Sequence, residues 1–167
     1  MRLVVLAVGR LKAGPERDLV ARYRERADAA GRSLGLPATE SVGVEESRAA
    51  RAPDRIAEEG ARLLAHPALA GAALVAFDER GRSDVTSEDF AERLSRWRDG
   101  ARPALALVVG GPDGLAEPVR ARADLVLAFG RLTLPHQLVR VLALEQLYRA
   151  MTILSGHPYH RGDQGGR

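Results

Sequence analysis

The stretch Ala104-Leu105-Ala106-Leu107-Val108-Val109-Gly110-Gly111-Pro112-Asp113-Gly114 decides the fold. Six consecutive apolar residues, with no polar alternate, leave neither face for water. That is the pattern of a central strand in a parallel sheet covered on both sides. The glycine-rich run that follows ends the strand abruptly.

Working outward, the same grammar repeats. Residues 3–8 are β-branched and aliphatic and read as a first strand. Gly14-Pro15 then opens a charged helix over about Glu16–Ala30, with Leu19, Val20 and Tyr23 on one face. Thr39–Val44 reads as a second strand, weakened by Glu40 and Gly43, and Pro53–Ala65 as a helix that Pro67 ends. Ala72–Phe77 is a third strand with a turn at Gly81. Thr86 or Ser87 can cap a helix carrying Phe90, Leu94 and Trp97 on one face and stopping at Gly100. After the central strand come a short helix near Ala116–Ala123, a fifth strand at Asp124–Phe129, and a long helix over His136–Leu154 entered through Pro135. Strands alternating with helices predict an α/β fold, a parallel sheet with helices on both faces. Ligands of such sheets sit beyond the C-terminal strand ends. Asp78–Gly81, Gly110–Gly114 and Phe129–Leu134 meet there.

Composition bounds the rest. The chain has 167 residues, no cysteine, 46% hydrophobic and 28% charged residues. One domain over residues 1–161 is expected, with a disordered tail over 162–167. Disulfides, thiolate metal sites and a cysteine nucleophile are excluded. No apolar run spans a membrane, and Gly9-Arg10-Leu11-Lys12 follows the first strand where a signal peptide would need a cleavage site, so a cytoplasmic protein is expected. The net charge of +3 is uneven. Residues 1–130 are balanced, whereas residues 131–167 hold Arg131, Arg140, Arg149, Arg161 and Arg167 against Glu145 and Asp163. Clustered positive charge suits a polyanion.

The functional motifs lie in that C-terminal part and in the glycine loop. Gly110–Gly114 is either a tight strand-to-helix turn or a loop that lets a ligand approach backbone closely. Neither a Walker A loop nor a Gly-x-Gly-x-x-Gly motif is present, and no Gly-x-Ser-x-Gly elbow. His157-Pro158-Tyr159-His160-Arg161 packs imidazoles, a phenol and a guanidinium into five residues. The run reads either as a solvated polar tail or as an RNA-facing or catalytic one. No metal is expected, because proline interrupts the His-x-x-His geometry and no carboxylate or cysteine lies beside it. The helix over His136–Leu154 is apolar nearly all the way round. It is therefore either a central core helix of a monomer or a helix covered by a second subunit; the expectation is a homodimer through it.

Together, Val108-Val109-Gly110-Gly111-Pro112-Asp113-Gly114-Leu115, Leu132-Thr133-Leu134-Pro135-His136-Gln137-Leu138-Val139-Arg140-Val141-Leu142, Glu145-Gln146-Leu147-Tyr148-Arg149-Ala150 and His157-Pro158-Tyr159-His160-Arg161 resemble the RlmH family, SPOUT-class pseudouridine N3-methyltransferases of large-subunit ribosomal RNA. The resemblance covers essentially the whole chain and is loosest over residues 31–66. It implies a SPOUT α/β knot, with a C-terminal trefoil knot, and S-adenosyl-L-methionine as cofactor. By motif position the cofactor contacts fall on Phe77, Gly110, Phe129, Gly130, Arg131, Leu132, Thr133 and Leu134. The family often has leucine where Phe77 and Phe129 stand here. The implied substrate is a pseudouridine in the helix-69 stem-loop of 23S rRNA, within the assembled ribosome. The implied catalytic residues are Tyr159, His160 and Arg161, and the implied RNA-binding residues Arg140, His157 and Arg161. Arg140 and Glu145 are motif residues whose spacing of five does not favour pairing with each other. Two other readings stand beside this one: a SPOUT methyltransferase of another rRNA or tRNA site, and a non-catalytic ribosome-binding factor.

Overall fold

A computed structural model describes residues 1–159. Five strands, β1 (Arg2–Val8), β2 (Thr39–Val44), β3 (Ala73–Arg82), β4 (Ala104–Val109) and β5 (Leu125–Leu127), form one sheet in the order β2-β1-β4-β3-β5. Every pairing is parallel. The helices are α1 (Pro15–Arg32), α2 (Ala52–Leu64), α3 (Ser87–Asp99), α4 (Glu117–Arg122) and α5 (His136–Leu154). As the apolar run requires, β4 is buried along its whole length, between β1 and β3.

Strand periodicity divides the core in two. Leu3, Val5, Val75, Leu105 and Leu107 face one side and pack with Phe90, Leu94, Leu144, Leu147 and Met151 under α1, α3 and α5. Leu6, Val8, Leu74, Ala106 and Val108 face the other and pack with Leu63 and Val119 under α2 and α4. Helix α5 packs against both α1 and α3. Much of its all-round apolar surface is thus covered within the protomer, with Leu138 left 38% exposed. No helix among the described residues is long and apolar enough to cross a membrane.

Two elements differ from expectation. Strand β3 runs past Phe77 to Arg82 instead of turning at Gly81, and it regains β5 at Arg82 and Leu127 after a register shift. The Ala128 N–H donates to the Arg82 carbonyl at 2.9 Å. Gly81 permits this crossing, because a Cβ there would stand 2.7 Å from the Val126–Leu127 backbone. Strand β5 is shorter than expected. Just before it, Asp124 donates its N–H to the Leu74 carbonyl and accepts from the Leu74 N–H through its carboxylate, each at 2.9 Å, and the strand ends at Leu127. A short 3-10 turn at Pro67–Leu69 follows α2 where only a helix stop was expected.

Candidate functional site

The C-terminal ends of β3, β4 and β5 open into a cleft of about 610 Å³. Its walls include Phe77, the loop Val109–Leu115, Leu127–Gly130, Leu132–His136 and Val139. Phe77 and Phe129 stack in its wall, with ring centroids 5.2 Å apart and planes 11° from parallel. Gly110 is backed by the loop itself, since a Cβ there would sit 2.7 Å from the Gly114 carbonyl oxygen. The absent side chain therefore lets the loop close on itself beside the cleft.

The glycine loop is held from outside. Arg55 on α2 grips Asp113 with two hydrogen bonds, at 2.7 and 3.1 Å, and holds that carboxyl below the usual carboxylate range. Asp78, below the other lip, pairs with Arg120 at 3.2 Å, and both side chains are nearly enclosed. Arg120 also donates to the Leu115 carbonyl and to Glu117. The two aspartates at strand ends thus anchor loops and do not project into the cleft as free carboxylates. Thr133 ties the third loop to β3 through Glu79 at 2.8 Å.

Behind the glycine loop stands Glu59, 3% exposed. Its Oε1 accepts from the Ser47 N–H at 3.0 Å, whereas its Oε2 has no partner and faces Gly111. Burial pushes its carboxyl up. His136 begins α5 at the cleft wall, and burial together with Arg140 pushes its imidazole down.

Of the residues assigned to the cofactor by resemblance, Phe77, Gly110, Phe129, Gly130, Leu132, Thr133 and Leu134 line this one cleft. Arg131 is exposed and lies outside its lining. Leu132, at the lip, is 82% exposed.

Arg140, expected to bind RNA, is enclosed at the end of β1. Its side chain is 6% exposed, and its guanidinium donates to the carbonyls of Val8 and Gly9 at the end of β1, at 3.1 Å for Gly9. His157 is exposed; its Nδ1 accepts the Tyr159 N–H at 3.2 Å.

Tyr159 lies against the second half of α5. Its ring tilts onto Tyr148 at 4.6 Å, Arg149 stands over its other side at 5.0 Å, and its hydroxyl donates to Glu145 at 3.2 Å. Burial and Glu145 push the phenol up to about 12. Within this pocket the phenol is a hydrogen-bond donor at neutral pH and not a general base. Glu145 pairs with Arg149, one turn on, at 2.9 Å. That i, i+4 spacing was readable in the sequence and is the pairing that Arg140 could not make. His160 and Arg161 lie outside the described residues. The nine-residue step from Val139 at the cleft to Tyr148 amounts to about 13 Å along the helix, so cleft and Tyr159 occupy different parts of the protomer.

Sequence reasoning missed Arg55 and Glu59. Both lie in the stretch of loosest resemblance, and nothing local marks a carboxylate that only tertiary packing buries.

Comparison with known proteins places the chain among relatives of nearly its own length. The family model described as "Predicted SPOUT methyltransferase" matches residues 1–160. A "Ribosomal RNA large subunit methyltransferase H" of Methylobacterium radiotolerans is 62% identical over 165 residues, covering 99% of this chain and all of that protein. The same-named protein of Methylorubrum populi is 65% identical, covering 98% of each chain. That of Nitrobacter hamburgensis is 54% identical, covering 97% of this chain. Among solved structures, a probable methyltransferase from Bordetella pertussis Tohama I matches with a TM-score of 0.51 at 17% identity, over 90% of this chain and 96% of that one, a likeness of fold.

Proposed function

The chain belongs to the SPOUT methyltransferase family, and from that premise we propose that it methylates N3 of a pseudouridine in the helix-69 stem-loop of 23S rRNA, using S-adenosylmethionine. On this reading it acts in the cytoplasm on the assembled ribosome, as a homodimer joined through α5, with residues 1–161 as a single domain and a knotted C-terminal path. The observation that carries the proposal is the cleft at the ends of β3, β4 and β5. Seven of the eight residues that the motifs assign to the cofactor line it together, in a chain alike from end to end to proteins named as rRNA methyltransferases.

The cleft suits the cofactor. Its volume is that of a pocket for a drug-sized molecule. The stacked Phe77 and Phe129 offer an apolar wall, and Gly110 lines the cleft at the turn out of β4. When bound, S-adenosylmethionine supplies an electrophilic methyl group. The residues that would hold it are Phe77, Gly110 and Phe129–Leu134, with Arg131 at the rim. Their task is positioning: two reactants held in line need little further help.

The substrate nitrogen must lose its N3 proton before it forms the new N–C bond, and the tail is the part of this chain suited to handle that proton. In the described geometry Tyr159 is a donor to Glu145, so its role is orienting. That leaves the His160 imidazole as the acceptor, with Arg161 stabilising the negative charge that develops on the imide oxygens. Tyr159 sits on the distal half of α5, away from its own protomer's cleft. We therefore assign each tail to the cleft of the partner subunit, and the exposed Leu138 on α5 to the surface between them.

The test is transfer of a labelled methyl group to whole ribosomes, separated subunits and free rRNA, with the product nucleotide identified. N3-methylpseudouridine in helix 69 is expected. Label at another rRNA or tRNA position would redirect the assignment, and cofactor binding by calorimetry without transfer to any substrate would make the protein a non-catalytic ribosome-binding factor. Truncation after Gly156 is expected to lower transfer at least 100-fold while leaving cofactor affinity within about twofold.

A further inference from the structure

A second concavity, of about 360 Å³, opens between α1 and the β1–β2 edge. Four arginines line it, Arg10, Arg17, Arg24 and Arg140, and no acidic residue does. Arg17 and Arg24 are two helical turns apart on one face of α1, with Val20 and Ala21 between them on the same face. Arg10 follows Gly9, just past the end of β1. Among the described residues, no carboxylate lies within ion-pair distance of Arg10, Arg17 or Arg24.

Arg140 forms the buried end of this groove. Two of its nitrogens are satisfied by the Val8 and Gly9 carbonyls, but its Nε is buried without a partner. Among the described residues, the charge that offsets it is Glu46, whose carboxylate packs beside Gly9 beyond ion-pair distance of the guanidinium. A buried cation with one unspent donor, at the end of a groove whose charged lining residues are all arginines, is a site for an anion. The groove also adjoins the cleft, since Arg140 lies one turn along α5 from His136 in the cleft wall.

We propose that this groove binds the phosphodiester backbone of the RNA strand that carries the target nucleotide. The arginines extend about 10 Å along α1, from Arg17 to Arg24. Such a strip suits a chain of phosphates and exceeds what a single small anion needs. Phosphate contacts position a strand without reading its sequence. The groove would therefore set the register of the RNA beside the cleft and leave recognition of the nucleotide to the cleft itself. The inference rests on the RNA substrate proposed above.

The test is the triple variant Arg10→Gln/Arg17→Gln/Arg24→Gln, which spares the buried Arg140. A charge-matched control, Arg93→Gln/Arg96→Gln/Arg98→Gln on α3, carries the same net change elsewhere. Against ribosomal particles, the groove variant is expected to raise KM about tenfold, with kcat within about twofold. Its dependence of log KM on log salt should be shallower by about 2, as expected for two or three lost phosphate contacts. Cofactor affinity should not move. An unchanged KM and salt slope, or an equal loss in the control, overturns the groove. If wild type transfers no methyl to any RNA, the functional reading fails and the groove is decided by affinity for a labelled single-stranded RNA 12-mer. A tenfold loss in the groove variant supports it, and equal affinity overturns it. Should the triple variant melt early, Arg17→Gln alone carries the same comparison at about threefold.

Discussion

Glu59 shows how much a single buried residue controls. The carboxyl is enclosed behind the glycine loop, holds the Ser47 N–H with one oxygen, and leaves the other unpaired against Gly111. Burial raises its pKa, so the protonated form is the one that folding favours. The linkage has a definite sign. A raised folded pKa means that the contribution is fully present below the unfolded carboxylate range and is lost as pH rises through the folded value. Replacing Glu59 with Gln keeps an acceptor for Ser47 and removes the titration. The Glu59→Gln variant should therefore gain thermal stability over wild type at pH 8 but not at pH 4.5; thermal melts of both proteins across that range measure it. A gain that is larger at the acid end would refute the assignment. Tyr159 carries the opposite message for activity. With its phenol pushed up to about 12, it does not titrate between pH 6 and 9, so any inflection of the rate in that interval belongs to another group.

At the scale of elements, α3 and α5 illustrate two different ways of specifying a helix. The start of α3 is written locally. Thr86 accepts from the Asp89 N–H at 3.1 Å, and Asp89 accepts from the Thr86 N–H at 3.0 Å, a reciprocal capping box. Thr86→Ala removes one arm of it and should cost about 1 kcal/mol, seen as a fall in Tm of about 2–4 °C for a chain of this size. Helix α5 has no side-chain cap, and His136, Gln137 and Leu138 follow Pro135 directly. It depends on packing: Leu144, Leu147 and Met151 are buried against the sheet side of α1 and α3. Of its buried polar residues, Arg140 is tied to the end of β1, Glu145 to Arg149, Gln146 and Tyr159, and Thr152 to the Arg149 carbonyl. One helix thus joins the cleft wall at its start to the tail's anchorage near its end.

At the scale of the whole molecule, that separation makes the proposed dimer testable without a structure of it. A protomer truncated after Gly156 keeps its cleft and loses its tail. A Gly110→Val protomer keeps its tail, while its added side chain would collide with the Gly114 carbonyl and displace the loop that walls the cleft. Neither homodimer should transfer methyl groups. If each tail serves the partner's cleft, equal mixing after subunit exchange should restore about a quarter of wild-type activity, because half the dimers are mixed and each has one working site. If tail and cleft act within one protomer, mixing restores nothing. Sedimentation of the wild type checks the dimer itself.

The sheet, its parallel strands and most helix limits were legible in the sequence because each depends on short-range pattern. A fully apolar run makes a central strand, Pro135 precedes α5, and Gly100 follows the end of α3. The members of the cleft were legible through motifs, since seven of the eight assigned residues line it. What sequence could not supply were relations between distant residues. The continuation of β3 past Phe77 depends on how closely Gly81 can cross β5. Arg140 reads as a surface cation in one dimension and is buried because α5 lies over the end of β1, where two carbonyls needed a donor. Glu59, Arg55 and the groove of arginines exist as functional groupings only because packing brings α1, α2 and the strand ends together. Local chemistry determined the elements, and burial in the folded protein decided which charges face solvent and which hold the site in place.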